Sequence, residues 1–133
     1  MKLIALALLT AAAQSAPTTE YAWDCKIVQQ TVCDATGCTA IRPTSSVFLY
    51  PSFNRYWRCP IGWKQLDACD GYDAFVSTSG AYRNFELRGR TAFARVGPGL
   101  SFVEAITLMD RVFISHGTCS VAPPPLVRTR PSK

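Results

Sequence analysis

Six cysteines, Cys25, Cys33, Cys38, Cys59, Cys69 and Cys119, spread through 133 residues constrain the fold more than any other feature of the chain. An even number of thiols serves either disulfides or metal sites, and spacing separates the two uses. No C-x-x-C pair is present and His116 is the only histidine, so neither a zinc site nor a thioredoxin-like redox motif is expected, and no cofactor is. Three disulfides are the expectation, and they require an oxidising compartment. The start of the chain agrees. Lys2 is followed by an apolar run from Leu3 and then by small residues ending at Ala13, the order of a secretory signal peptide. Residues 1–13 are therefore read as a signal peptide, 14–21 as an N-terminal extension, 22–119 as one folded domain and 120–133 as a Pro-rich basic tail. No stretch reaches the roughly 18 unbroken apolar residues of a membrane span. The expected product is an exported protein, periplasmic or extracellular, with no transmembrane segment after signal removal.

Composition narrows the partner classes. With 48% hydrophobic and 17% charged residues the chain is too apolar to stay disordered. The formal charge of +5 falls to +1 once Lys2 and the tail residues Arg128, Arg130 and Lys133 are set aside. A nearly neutral body makes nucleic acid an unexpected partner, and the basic tail is read as a solubilising terminus.

Between residues 22 and 118 the sequence consists of short runs rich in β-branched and aromatic residues, separated by Gly, Pro, Asn and Asp, without a sustained helical period. The expected strands are 23–32, 47–50, 55–59, 73–79, 82–87, 91–96, 101–108 and 111–118. Ser79-Gly80, Arg88-Gly89, Gly97-Pro98-Gly99 and Met109-Asp110 supply hairpin turns between them. About eight hairpin-linked strands form an antiparallel up-and-down meander, which best protects its edges by closing into a small barrel. The fold class is thus all-β, a small antiparallel up-and-down barrel stapled by disulfides, and a monomer is expected. Closure sets the first strand against the last, which pairs Cys25 with Cys119. Cys33 and Cys38 then staple the first turn (CDATGC), and Cys59 with Cys69 closes the loop between the third and fourth strands.

Catalytic chemistry has little to work with. His116 lies in the run Val112-Phe113-Ile114-Ser115-His116, where a strand-face or packed histidine is the simpler reading. Asp67, Asp70 and Asp73 recur every third residue, which departs from the alternating spacing of a calcium loop and reads as turn chemistry. In Asn54-Arg55-Tyr56-Trp57-Arg58, alternation puts Arg55, Trp57 and Cys59 on one face and Tyr56 and Arg58 on the other, so arginine stems packing over core aromatics is expected. No catalytic residues are assigned, and a non-enzymatic role is the expectation. Trp63 and Tyr72, in or beside the Cys59–Cys69 loop, are candidates for an exposed aromatic surface or for plugging one barrel end.

The signal sequence, the CDATGC turn, the Arg58-Cys59 and Cys69-Asp70 pairs and the ending SFVEAITLMDRVFISHGTC resemble small exported six-cysteine β proteins of unknown function from Gram-negative bacteria. That likeness implies compartment and fold. Ser79-Gly80-Ala81-Tyr82 and Arg88-Gly89-Arg90-Thr91-Ala92 are more weakly similar to the S-G-x-x-Y and K-G-x-x-A motifs of periplasmic C-type lysozyme inhibitors, with the tyrosine one place early and arginine for lysine. This second resemblance implies that Ser79 and a base, Arg88, enter a lysozyme cleft. Ser79, Tyr82, Arg88, Arg90, Trp63 and Tyr72 are the resulting candidate binding residues. The leading expectation is a binding module for a protein or cell-envelope component, using loops at one barrel end. Inhibition of lysozyme and carriage of a small apolar ligand are the alternatives.

Overall fold

Nine strands form, one more than the alternation of the sequence announces: β1 (Ala22–Asp34), β2 (Gly37–Ile41), β3 (Ser45–Tyr50), β4 (Arg55–Pro60), β5 (Asp70–Ser79), β6 (Tyr82–Leu87), β7 (Ala92–Val96), β8 (Ser101–Leu108) and β9 (Arg111–Ala122). The computed structural model describes residues 21–125. The expected signal peptide, the extension as far as residue 20 and the tail from residue 126 lie outside the described residues. Every pairing is antiparallel, and β1 pairs with β9 from Ala22↔Ala122 to Cys33↔Val112. Eight strands, β1 and β3 to β9, thereby close into a barrel, the all-β architecture expected from the turn pattern. Two strand boundaries differ from the expected ones by three residues or more. The last strand runs through Ser120–Ala122 beside Ala22–Asp24, so the folded domain takes in residues first assigned to the tail. β5 begins at Asp70 rather than Asp73, pairing Asp70–Asp73 with β4.

The ninth strand is β2. On the side away from β9, β1 pairs with β3 over Trp23–Lys26 and with β2 over Gln30–Asp34. β2 is exposed along nearly its whole length, so it extends the barrel wall instead of adding to the core. Asp34 builds the turn into it, accepting hydrogen bonds from the Thr36 amide at 2.8 Å and hydroxyl at 2.6 Å. Those bonds hold its carboxyl below the ordinary carboxylate range.

All three cysteine pairs follow the strand order: Cys25–Cys119 across the closing seam, Cys33–Cys38 across the β1–β2 hairpin and Cys59–Cys69 over the loop leading into β5. Beside the seam, Val28 bulges out of β1, and the register shifts between Ile27 and Gln29. A Cβ on Gly117 would lie 1.9 Å from the Lys26 carbonyl oxygen, so only glycine lets β9 approach β1 there.

Strand alternation sorts the side chains into two clusters. Inside the barrel, Cys25, Val47, Leu49, Tyr56, Phe85, Leu87, Val96, Phe102 and Cys119 pack with the small Ala74, Ala92 and Ala94. Outside it, Phe48, Tyr50, Trp57 and Cys59 on β3 and β4 are buried beneath Trp63, Leu66 and Cys69. The Cys59–Cys69 loop thus covers one flank of the barrel. The outer flank of β5 to β9 has no such cover among the described residues.

Candidate functional site

Hydrogen-bonding groups inside a small barrel must satisfy one another, because burying an unpaired charge or hydroxyl is costly. Glu104 on β8 points inward between Phe102 and Ile106, and its side chain is 1% exposed. Tyr56 and Arg58 on β4 meet it: the Tyr56 hydroxyl and an Arg58 guanidinium N–H both donate to the Glu104 carboxylate. Arg58 also donates to the Tyr56 oxygen and to Ser45 Oγ, each at 2.7 Å. On β9, buried Ser115, the cross-strand partner of Glu104, accepts at Oγ from Gln30 Nε2 at 3.1 Å. Burial raises the Tyr56 phenol well above its ordinary value, and the nearby Glu104 charge pushes the same way. Burial alone would lower Arg58, but the Tyr56 and Glu104 oxygens outweigh it and raise its pKa.

This network belongs to the packed interior of the barrel, where Tyr56, Phe85, Leu49, Glu104 and Val47 are among the largest fully buried side chains. Its pH response follows from the sign of the shift. The neutral phenol is favoured in the folded state, so its contribution is complete below the unfolded tyrosine value near 10 and is lost as pH rises toward the folded one. Wild-type stability is expected to fall above about pH 10, by at most about 1.4 kcal/mol per pH unit for this proton. Tyr56→Phe is expected to start lower at pH 7 and to show a flatter alkaline limb in urea denaturation. Parallel limbs in the two proteins would contradict that assignment.

The candidate binding residues do not gather at one end. Ser79 and Tyr82 flank the β5–β6 turn, whereas Arg88 and Arg90 lie in the β6–β7 turn at the opposite end of β6. Arg88 lies six positions beyond Tyr82, about 20 Å along an extended strand. Ser79 and Arg88 are both exposed, and the fold does not bring them together. Trp63 is half-buried, its ring 5.3 Å from Phe48 in an edge contact, and serves as cover for the β3–β4 flank rather than as an exposed surface. Tyr72 is also half-buried, packed 6.1 Å from the Tyr56 ring with Arg90 stacked over it at 4.9 Å. Of the two expectations for this pair, an exposed surface or a barrel plug, the exposed surface does not form: both are half-buried, Trp63 against the outer cluster and Tyr72 against the inner one. Asp73 is held by Arg55 at 2.7 Å, and His116 lies exposed on the strand face.

A different group of residues is brought together, on the uncovered flank. Successive cross-strand partners form two rows running around the barrel: Phe75, Glu86, Phe93, Ala105 and Ile114, then Ser77, Asn84, Arg95, Val103 and His116. These positions alternate with buried Ala74, Phe85, Ala94, Glu104 and Ser115, so they face outward. Phe75, Tyr82 and Phe93 are 56%, 42% and 37% exposed, an aromatic content uncommon on a surface with nothing to meet. Two shallow recesses lie on this flank. One, of about 160 Å³, is lined by Tyr82, Arg95, Gly97, Ser101, Val103 and His116. The other, of about 450 Å³, is lined by Glu86, Arg90, Thr91, Phe93, Ala105 and Thr107. Tyr82 lies so close over the Gly97 backbone that a Cβ there would meet its ring at 2.7 Å. Of the sequence candidates, Tyr82 and Arg90 border this flank; Phe75, Phe93 and Arg95 were not singled out by motif or spacing.

No helix among the described residues is long and apolar enough to cross a membrane. The three disulfides belong to an oxidising, exported environment. No family model, no curated protein and no solved structure matches the chain.

Proposed function

We propose that the protein is a non-enzymatic exported binding module, working in the periplasm or outside the cell, that holds a protein or cell-envelope component on the outer flank of β5 to β9. One observation carries this reading. The barrel buries its β3–β4 aromatics under a disulfide-closed loop but leaves Phe75, Tyr82 and Phe93 exposed on the opposite flank, the last two against Arg95. Aromatic and arginine side chains dominate the energetics of protein recognition, and a sheet held by three crosslinks loses little freedom on binding. The surface therefore replaces the barrel-end loops as the place of recognition. Lysozyme inhibition gains no support from the positions of Ser79 and Arg88, and a carrier role gains none from the filled interior.

The test uses immobilised, oxidised protein exposed to periplasmic extract, with the bound material quantified. Wild type and Ser79→Ala/Arg88→Ala are expected to capture the same partner, and Phe75→Ser/Phe93→Ser to retain less than a tenth of it, given the cost of more than about 1 kcal/mol for each truncated anchor. Undiminished capture by the phenylalanine pair variant would overturn the reading. Stoichiometric inhibition of a C-type lysozyme that vanishes in Ser79→Ala/Arg88→Ala would replace it with the inhibitor alternative.

A further inference from the structure

An arginine on a protein surface ordinarily pairs with a nearby carboxylate or waves in solvent. Arg95 does neither. Its Nε donates to Asn84 Oδ1 at 2.8 Å, across the β6–β7 pair. Its guanidinium carbon lies 5.1 Å from the Tyr82 ring centre and 5.4 Å from that of Phe93. The side chain is thus held at one nitrogen and against two rings, which fixes the direction of the remaining N–H donors. Among the described residues both ion pairs lie elsewhere, Arg55 with Asp73 and Arg58 with Glu104, so Arg95 has no carboxylate partner. It borders the 160 Å³ recess, whose far rim carries His116 and Ser101.

We propose that Arg95 is the anion-recognising centre of this flank and that its partner is a protein that inserts a carboxylate, from an acidic side chain or a chain end, into the recess beside it. The inference rests on the flank being the recognition surface. A planar fork held in advance pairs with a carboxylate through two parallel charge-assisted bonds and loses little rotamer freedom in doing so. The surroundings decide the class of partner. Phe75, Phe93, Ala105 and Ile114 form a row whose only hydrogen-bonding side chain is Glu86. An apolar surface of that kind matches the core of a protein interface, whereas a sugar chain would leave many hydroxyls facing hydrocarbon. Once that row is covered, water is excluded around the ion pair and its attraction is less screened. Two arginines at separate recesses, Arg95 and Arg90, do not make the continuous stripe of cations that a polyanion needs.

The test is a titration of the full oxidised protein, labelled with 15N, by three probes: N-acetyl-glutamate N-methylamide, its glutamine counterpart and glucuronate. The glutamate probe is expected to shift the Arg95 Nε–Hε signal and the amides of Ser101, Val103 and His116 with millimolar saturation. The glutamine probe and glucuronate are each expected to bind at least fivefold more weakly. Arg95→Gln is expected to abolish the glutamate shifts and Arg95→Lys to weaken them at least fivefold, with the remaining amide spectrum showing that both variants are folded. Equal response to glutamate and glutamine, no response, or tighter binding of glucuronate would overturn the proposal. So would broadening of the same amides with protein concentration alone, which would make a second copy the occupant. The capture experiment separates the two levels of inference. Loss of partner in Phe75→Ser/Phe93→Ser with full retention in Arg95→Gln leaves the flank as the binding surface and removes the acidic partner; retention in the phenylalanine pair variant removes the surface itself.

Discussion

Glu104→Ala is expected to lower the unfolding free energy by about 3–5 kcal/mol, the cost of breaking a buried ion pair by deleting one member. The carboxylate is 1% exposed, and it accepts from both Arg58 and the Tyr56 hydroxyl. Removing it leaves a guanidinium that is 24% exposed without a counter-charge, and a buried phenol without an acceptor. Glu104→Gln keeps an acceptor at the same place and should cost less. The informative comparison is Glu104→Leu with Arg58→Met and Tyr56→Phe. This triple variant removes every polar member at roughly constant volume, and it is expected to recover to within about 2 kcal/mol of wild type, because well-packed apolar replacements of a buried pair are often neutral. Denaturant midpoints with the disulfides intact measure all of these. A Glu104→Ala loss under 1 kcal/mol would mean that water reaches the network and that the barrel mouth at Arg58 is open.

The signal for this network was partly present in the sequence. Alternation along β4 places Tyr56 and Arg58 on one face, and along β8 it places Glu104 in phase with Phe102 and Ile106. An acidic residue at an inward position is a conspicuous exception to the pattern, but the meeting of β4 with β8 crosses the barrel, and no local rule states which strands face each other across it. β2 is not legible in the sequence for a different reason. Its five residues, Gly37 to Ile41, are exposed and carry no alternation, and the Cys33–Cys38 pair makes the segment look like the far side of a turn. The start of β5 was hidden by Gly71 between aspartates, which reads as a loop and in fact leaves room for the Arg55 and Trp57 side chains stacked over it. The uncovered flank was hidden by phase. In Thr91-Ala92-Phe93-Ala94-Arg95-Val96 the aromatic and arginine side chains belong outside, while Ala92, Ala94 and Val96 pack inside with Phe85. Sequence alternation fixes two faces but leaves open which is which when both hold apolar residues.

Replacing both Cys25 and Cys119 with alanine is expected to destabilise the domain by about 4 kcal/mol, since this link closes a loop spanning 94 positions and loop-closure entropy grows with the logarithm of loop length. A single domain of this size holds about 5–15 kcal/mol in all, so the loss would be a major fraction of it. Cys33→Ala/Cys38→Ala is the internal control. That pair spans 5 positions on an exposed hairpin, and its removal is expected to cost about 2 kcal/mol or less, with any change confined to β2. Alanine is preferred to serine because Cys25 and Cys119 are 0% and 8% exposed, and two buried hydroxyls would add a desolvation cost unrelated to the crosslink. The comparison separates two accounts of closure. The β1–β9 ladder runs from Ala22 to Cys33 and could close the barrel through backbone hydrogen bonds alone. If the seam variant loses about 4 kcal/mol while hydrogen exchange in β9 rises to the level of global unfolding, the covalent link carries much of the stability without determining the topology. If β9 exchanges before the rest of the barrel opens, the link is what keeps first and last strands together, and the bare flank that includes His116 depends on it.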